Sequence, residues 1–182
     1  MRTILLLSAA ALAKVQPFCL STLIIPGEKV GDGLLVEAIN IPWISIVREL
    51  NQKPDFLRTM DPRRFEELIA ASYKQAGFDE VILTPQSGDF GRDVIAIKRG
   101  FVTVRVLDQA KRYAPDNLVG ANDIRALIGV LQSDHSATNA VLTTTSDFAP
   151  KVKDDPFIKP YLPNRLQLIN GADLVARLSG LV

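Results

Sequence analysis

One cysteine and one histidine in 182 residues remove several chemistries at once. Cys19 has no partner for an intrachain disulfide and cannot build a cysteine zinc site. His135, alone, excludes His-rich metal centres and argues against a Ser-His-Asp triad. No excess charge advertises a nucleic-acid partner, because the formal net charge is only +1. A DNA-attracting field must then come from local clusters, for which Lys98-Arg99, Arg105, Lys111-Arg112 and Lys151 to Lys153 are the candidates. The apolar run Ile4 to Ala13 falls short of the roughly 20 residues that a bilayer-spanning helix needs. It reads either as an export signal, with Ala11-Leu12-Ala13 resembling a signal-peptidase site, or as a short buried element leading into the domain. No internal repeat or low-complexity tract stands out.

What is present is globular composition, 47% hydrophobic and 23% charged, at a length that suits one domain with room for an N-terminal addition. Residues 1–58 read as an N-terminal extension. It has turn signals at Pro26-Gly27 and Gly31-Asp32-Gly33, a strand over Leu34 to Ile39, and a helix over Ile41 to Leu50 with Pro42 in its first turn. Residues 59–182 carry the sharper pattern. Asp61 is an N-cap with Pro62 at the first helical position, Phe65, Leu68, Ile69, Ser72, Tyr73 and Ala76 recur at helical spacing, and Gly77 ends the helix. Strands are predicted over Glu80 to Thr84, and over Asp93 to Lys98 and Val102 to Gln109, the last two forming a hairpin joined by Arg99-Gly100. A helix capped by Asn122 or Asp123 runs to Ser133. A strand over Asn139 to Thr144, a short helix over Phe148 to Lys153, a strand over Leu166 to Ile169 and a helix over Ala172 to Leu178 complete the chain. This order predicts an α/β fold, a mixed central sheet flanked by helices.

The chemistry concentrates in two places. Asp93 follows the Gly-rich turn Pro85 to Gly91 and opens an apolar strand; taken alone it reads as a strand-start acid bonded to turn amides. Gln109 and Lys111 stand two apart, so they project from one face of a strand; taken alone they read as solvated edge residues. If the two strands are neighbours, one face gains a carboxylate, an amide oxygen and an ammonium. That set can hold a hard cation and orient a water for attack on a phosphodiester. Magnesium prefers oxygen ligands, and Gln109 in place of an acid leaves the site a charge short. The helix carrying Glu66 and Glu67, adjacent and therefore about 100° apart, is the obvious source of a second carboxylate, one entering the site while the other stays in solvent. Lys111 would place positive charge near the attacked phosphate. Thr144, Thr145 and Ser146, at a strand-to-helix junction, read equally as phosphate contacts or as β-propensity followed by a cap. Arg112 and Tyr113 could touch a DNA backbone or be, respectively, a solvated arginine and a packed ring. Trp43 is expected to pack the extension onto the core.

These residues resemble the Mrr-type restriction endonucleases. The resemblance runs through Phe65-Glu66-Glu67-Leu68-Ile69-Ala70, Ala76-Gly77-Phe78 and Leu83 to Ala96. It continues through Gln109-Ala110-Lys111-Arg112-Tyr113, which is similar to the family's QxKRY form of the PD-(D/E)xK signature. Ile124 to Val130, Val141 to Phe148 and Leu168 to Leu174 follow in order, so roughly residues 60–178 are covered. It implies the restriction-endonuclease-like fold, cleavage of DNA phosphodiesters with Mg²⁺ or Mn²⁺, and Asp93, Gln109 and Lys111 as the catalytic core. It also implies Glu66 as the helix acid, so that Asp93, Gln109 and Glu66 are the metal ligands. Ser87 and Arg92, within the matched turn, join Arg112, Tyr113, Thr144, Thr145 and Ser146 as expected nucleic-acid contacts. Members usually act inside the cell on foreign or modified DNA, which favours the buried reading of the N-terminal run and a cytoplasmic protein. Two departures stand out. Gln109 replaces the acid of the broader superfamily, and Asn170 stands where Asp is frequent.

The expectation is a metal-dependent restriction or defence endonuclease, paired as a homodimer to cut two strands, with DNA as partner and no small-molecule cofactor. The alternatives are a DNA-binding or assembly module of the same fold that has lost turnover, and an exported nuclease.

Overall fold

Seven strands line up in the order in which the chain makes them. The computed structural model describes residues 22–182 apart from Pro54, Asp89 and Phe90; the apolar run Ile4 to Ala13 and Cys19 lie outside the described residues. Strands β1 (Ile24–Val30) and β2 (Gly33–Ile39) form an antiparallel hairpin. Helices α1 (Trp43–Gln52), α2 (Phe56–Thr59) and α3 (Pro62–Gln75) follow, then β3 (Glu80–Leu83), β4 (Val94–Lys98) and β5 (Val104–Lys111). Helix α4 (Ala121–Ser133), β6 (Asn139–Thr144), β7 (Leu166–Ile169) and α5 (Gly171–Ser179) complete the order. Strands β1 to β5 are antiparallel to their neighbours; β5, β6 and β7 run parallel. This is the mixed sheet flanked by helices that the element order predicts.

Each face of the sheet buries its own cluster. Helices α1, α3 and α5 cover one face, where Trp43, Ile46, Phe65, Leu68 and Leu178 pack with Val94, Ala96 and Val106. Helix α4 covers the other, where Ile124, Leu127 and Leu131 pack with Ile95, Leu107 and Leu142. Strand β4 is apolar from Val94 to Ile97 because both of its faces are covered. Trp43 does pack the N-terminal segment onto the core: its indole N–H donates to the carbonyl of Leu178 at 2.9 Å, tying α1 to α5.

Local signals place most elements. Asp61 caps α3 by accepting from the amides of Arg63 and Arg64, with Pro62 in the first turn. Four expectations shift. Pro26-Gly27 is no turn; both residues lie within β1, where the register slips on either side of Pro26, and an edge strand tolerates proline there. The cap of α4 is Gly120, and Asp123 accepts the Gly120 N–H at 3.2 Å from inside the helix. The hairpin between β4 and β5 is longer than two residues, since Lys98 pairs with Val104. Phe148 to Lys153 is not a helix beyond the 3₁₀ turn Val152–Asp154. The Phe148 amide bonds the Asp147 carboxylate and the Ala149 amide bonds the Val119 carbonyl, so neither is available to a helix.

Under α3, Asp108 of β5 is only 2% exposed. Its Oδ2 accepts from the Tyr73 hydroxyl at 2.7 Å and the Thr143 hydroxyl at 3.2 Å, while Oδ1 has no partner. Burial pushes this carboxyl up to about 6, against the pull of its hydroxyl bonds. A carboxyl raised in the fold binds its proton there more tightly than in the unfolded chain. Its contribution is therefore fully present below the unfolded value of about 3.9 and is lost as pH rises through about 6. We expect denaturant unfolding to show wild type losing on the order of 2 kcal/mol relative to Asp108→Asn between pH 4 and pH 7. Parallel pH profiles for the two proteins would contradict this placement of the carboxyl.

Candidate active site

Asp93, Gln109 and Lys111 stand at the end of the sheet where β5 finishes and β4 begins. The ladder between these antiparallel strands closes at the pair Val94 and Asp108. Just beyond it, the Asp93 N–H donates to the Asp108 carbonyl at 2.9 Å. The Asp93 carboxylate then does what a further backbone carbonyl would have done: its Oδ2 accepts the Ala110 N–H at 2.7 Å. An acid at the start of β4 is thus bonded to the residue between Gln109 and Lys111. Those two share the α4 face of β5 with Leu107 by alternation. Lys111 Nζ lies 3.7 Å from Asp123 Oδ1 at the start of α4 and 6.0 Å from the Tyr113 ring centroid.

Gln109 carries the most telling atom. Its Oε1 is buried and has no hydrogen-bond partner. An unsatisfied buried carbonyl costs about 1–3 kcal/mol. A carboxylate and an unengaged amide oxygen together form a donor set suited to a hard divalent cation. Among the described residues no three His, Cys, Asp or Glu side chains gather as a metal site, so any cation here would draw on the amide as well as on acids.

The two acids of α3 part company. Glu66 accepts from Arg63 Nη1 at 2.6 Å, and the same nitrogen donates to the Thr84 carbonyl at 2.8 Å. Thr84 in turn holds the segment carrying Asp93. Its N–H and its hydroxyl both reach the Asp93 carbonyl at 3.0 Å, and the hydroxyl also donates to the Arg92 carbonyl at 2.7 Å. Glu66 is therefore linked to the Asp93 backbone through Arg63 and Thr84. Glu67 does not stay in solvent as expected. It is 8% exposed, and its Oε2 accepts from the Leu23 amide at 3.2 Å and from Arg64 at 2.7 Å, anchoring the chain where it leads into β1.

The expected nucleic-acid contacts divide. Ser87 is exposed, and Arg112 and Tyr113 are half-buried. Arg112 donates to the Arg58 carbonyl at 2.8 Å. Thr144, Thr145 and Ser146 are buried and their hydroxyls are engaged. Thr144 donates to the Lys111 carbonyl at 2.9 Å, Thr145 to the Tyr113 carbonyl at 2.8 Å and Ser146 to the Pro115 carbonyl at 3.1 Å. They brace the strand end that presents Lys111 and Tyr113. Arg92 turns away to Asp32 at 3.0 Å and Asp134 at 3.6 Å. Burial alone would raise the Asp134 carboxyl, but bonds from Ser136 and the guanidiniums of Arg105 and Arg92 bring it below its ordinary value.

Sequence reasoning missed Arg63, Thr84, Asp123 and Asp32. Arg63 had a signal, three residues before Glu66 on one helix. Asp123 reads from the sequence only as a cap. Nothing local marks Thr84 or Asp32, whose partners are distant in the chain.

The restriction endonuclease family model Mrr_cat matches residues 57–178. No curated protein sequence matches the chain. Among solved structures, the DNA modification-dependent restriction endonuclease AspBHI is similar with a TM-score of 0.53 at 22% identity, over 79% of this chain and 36% of that one. The MspJI restriction endonuclease in complex with a 27-mer oligonucleotide gives a TM-score of 0.47 at 19% identity, over 74% of this chain and 30% of that one. The chain thus spans about a third of the length of these two proteins. At 22% identity the likeness to the first is one of fold.

Gly91 lets the loop before Asp93 pass close to Gln109. It has φ +77, and an added Cβ would lie 3.2 Å from Val130 Cγ2 of α4 and 3.8 Å from Gln109 Nε2. We expect Gly91→Ala to destabilise the protein by about 1 kcal/mol or more, from backbone conformation and crowding together. The Gln109 side-chain amide resonances should shift at the same time. Unchanged unfolding and unchanged resonances would contradict this close approach.

Proposed function

The chain belongs to the Mrr_cat restriction endonuclease family, and from that premise we propose that it is a metal-dependent endonuclease hydrolysing phosphodiester bonds in foreign or modified DNA. The observation that carries this reading is the Asp93 carboxylate bonded to Ala110, between a buried Gln109 oxygen with no partner and Lys111. Asp93, Gln109 and Glu66 would hold Mg²⁺ or Mn²⁺, which supplies neutralising charge at the phosphate and a more acidic attacking water. Lys111, steadied by Asp123, places an ammonium beside the attacked phosphate, where charge develops. For Glu66 to take part, Arg63 must release it from their part-buried ion pair. Arg63 is then available to a phosphate oxygen of the DNA.

Of the expected DNA surface, exposed Ser87 and half-buried Arg112 and Tyr113 support contact, whereas Arg92, also half-buried, is engaged by Asp32 and Asp134. The catalytic unit in this reading is 59–182, with 1–58 as its extension. Cutting both strands takes two such sites, so two copies would act together on DNA. Among the described residues no helix is long and apolar enough to cross a membrane, and the reading is of an enzyme acting in the cytoplasm. One observation favours a second reading, a DNA-binding module without turnover. The only carboxylates proposed for the site are Asp93 and a Glu66 already paired to Arg63.

The test is plasmid cleavage by the full chain, on plain and methylated DNA with Mg²⁺ or Mn²⁺. Asp93→Ala and Lys111→Ala should each lower the rate on the order of 100-fold or more, with circular dichroism showing the fold retained. Full cleavage by Asp93→Ala would overturn the assignment. DNA binding by the wild type with no cleavage under any of these conditions would favour the second reading.

A further inference from the structure

The β1–β2 hairpin precedes the span that the family model matches, yet its tip leans on the backbone that carries Asp93. Three contacts converge there. Leu34 of β2 pairs with Leu83 of β3. Gly33 sits so tightly on that strand end that an added Cβ would lie 2.4 Å from the Leu83 carbonyl oxygen and 2.9 Å from Thr84 Cα; only glycine fits. Asp32, at the turn, reaches Arg92 Nη2 at 3.0 Å through Oδ1 and Arg105 Nη2 at 3.2 Å through Oδ2.

Asp32 is half of a closed arrangement of charges. Asp134, where α4 ends, pairs with the same two arginines at 3.6 Å and 3.4 Å. Two carboxylates and two guanidiniums thus alternate around the side chain of Arg92, the residue before Asp93. On the backbone side, Thr84 holds the carbonyls of both Arg92 and Asp93. The peptide leading into Asp93 is clamped from its side chain by Asp32 and Asp134, and from its carbonyls by Thr84, on which Gly33 rests.

We infer that Asp32 is a positioning residue of the site, acting through Arg92 to hold the Asp93 carboxylate against the Ala110 amide. Such a role rests on Asp93 working as proposed above. Removing the Asp32 charge takes the closer of these two carboxylates from Arg92 and loosens the side-chain half of the clamp. The Asp93 carboxylate then leaves its bond to Ala110 part of the time, and oxygen ligands that must converge on one cation lose their geometry. Changes to groups that orient metal ligands lower metal affinity or activity on the order of 10-fold to 100-fold.

The Ala110 amide is a direct reporter, because the Asp93 carboxylate is its acceptor. Amide hydrogen exchange should be followed in the full chain without metal, for wild type, Asp32→Asn, Asp32→Glu and Asp93→Ala. Binding of Mn²⁺ by calorimetry and cleavage rates complete the set. In Asp32→Asn we expect exchange at Ala110 to rise roughly 10-fold toward the Asp93→Ala level, with the core amides of Ile95 and Val106 unchanged. Mn²⁺ affinity should fall on the order of 10-fold, kcat should fall with KM retained, and Asp32→Glu should recover most of each. Wild-type protection of Ala110 in Asp32→Asn would overturn the inference. So would a rise shared equally by the core amides, which would make the hairpin a plain structural support. If the wild type cleaves no DNA, the proposed function falls, and the exchange comparison still decides the role of Asp32.

Discussion

Ala110 donates its backbone N–H to a side chain, the Asp93 carboxylate, at 2.7 Å, at the place where a β-ladder would otherwise continue with a carbonyl. That substitution fixes the end of the sheet. It brings the acid at the start of β4 to the end of β5 within the precision of a charge-assisted hydrogen bond. It also means that the site cannot be separated from the sheet. Whatever sets the β4–β5 register sets the distance between Asp93, Gln109 and Lys111, and that register is held by the ladder from Val94 to Lys98, with the apolar pairs Ile95–Leu107 and Ala96–Val106 at its centre.

Strand β5 serves both sides of the molecule by alternation. Asp108 faces α3 and is closed off by Tyr73 and Thr143. Gln109, one residue later, faces the α4 side, where its carbonyl oxygen has no partner. Both groups are uncomfortable by the ordinary rules of burial, an acid raised by desolvation and an unsatisfied amide oxygen. The cores around Phe65 and Leu127 supply the burial that tolerates them. The last residue of the parallel neighbour β6 and the one after it add the hydroxyls of Thr144 and Thr145, which lock the carbonyls of Lys111 and Tyr113 and so orient the end of β5.

What could be read in advance follows the range of the interactions. Local signals, such as the Asp61-Pro62 cap, the unbroken apolar run of β4 and the alternation that puts Gln109 and Lys111 on one face, were legible. So were the strand and helix within residues 34–50, although not their place in the sheet. Roles fixed by contacts far apart in sequence were not legible. Glu66 and Glu67 are alike as letters and differ only because one meets Arg63 at Thr84 while the other meets Leu23. Thr144 to Ser146 fitted phosphate contact and strand-end bracing equally well, and only their acceptors distinguish the two. Asp32 is a turn residue until its contact with Arg92, 60 positions on, is seen.

This sheet end is proposed to gather oxygens for a divalent cation. Titrating isotope-labelled protein with substoichiometric Mn²⁺ and following paramagnetic broadening of the backbone amides tests it most directly. The amides of Asp93, Gln109, Ala110 and Glu66 are expected to broaden first, and Asp93→Asn to suppress the effect. Broadening that begins elsewhere on the surface, or none at these amides, would contradict it.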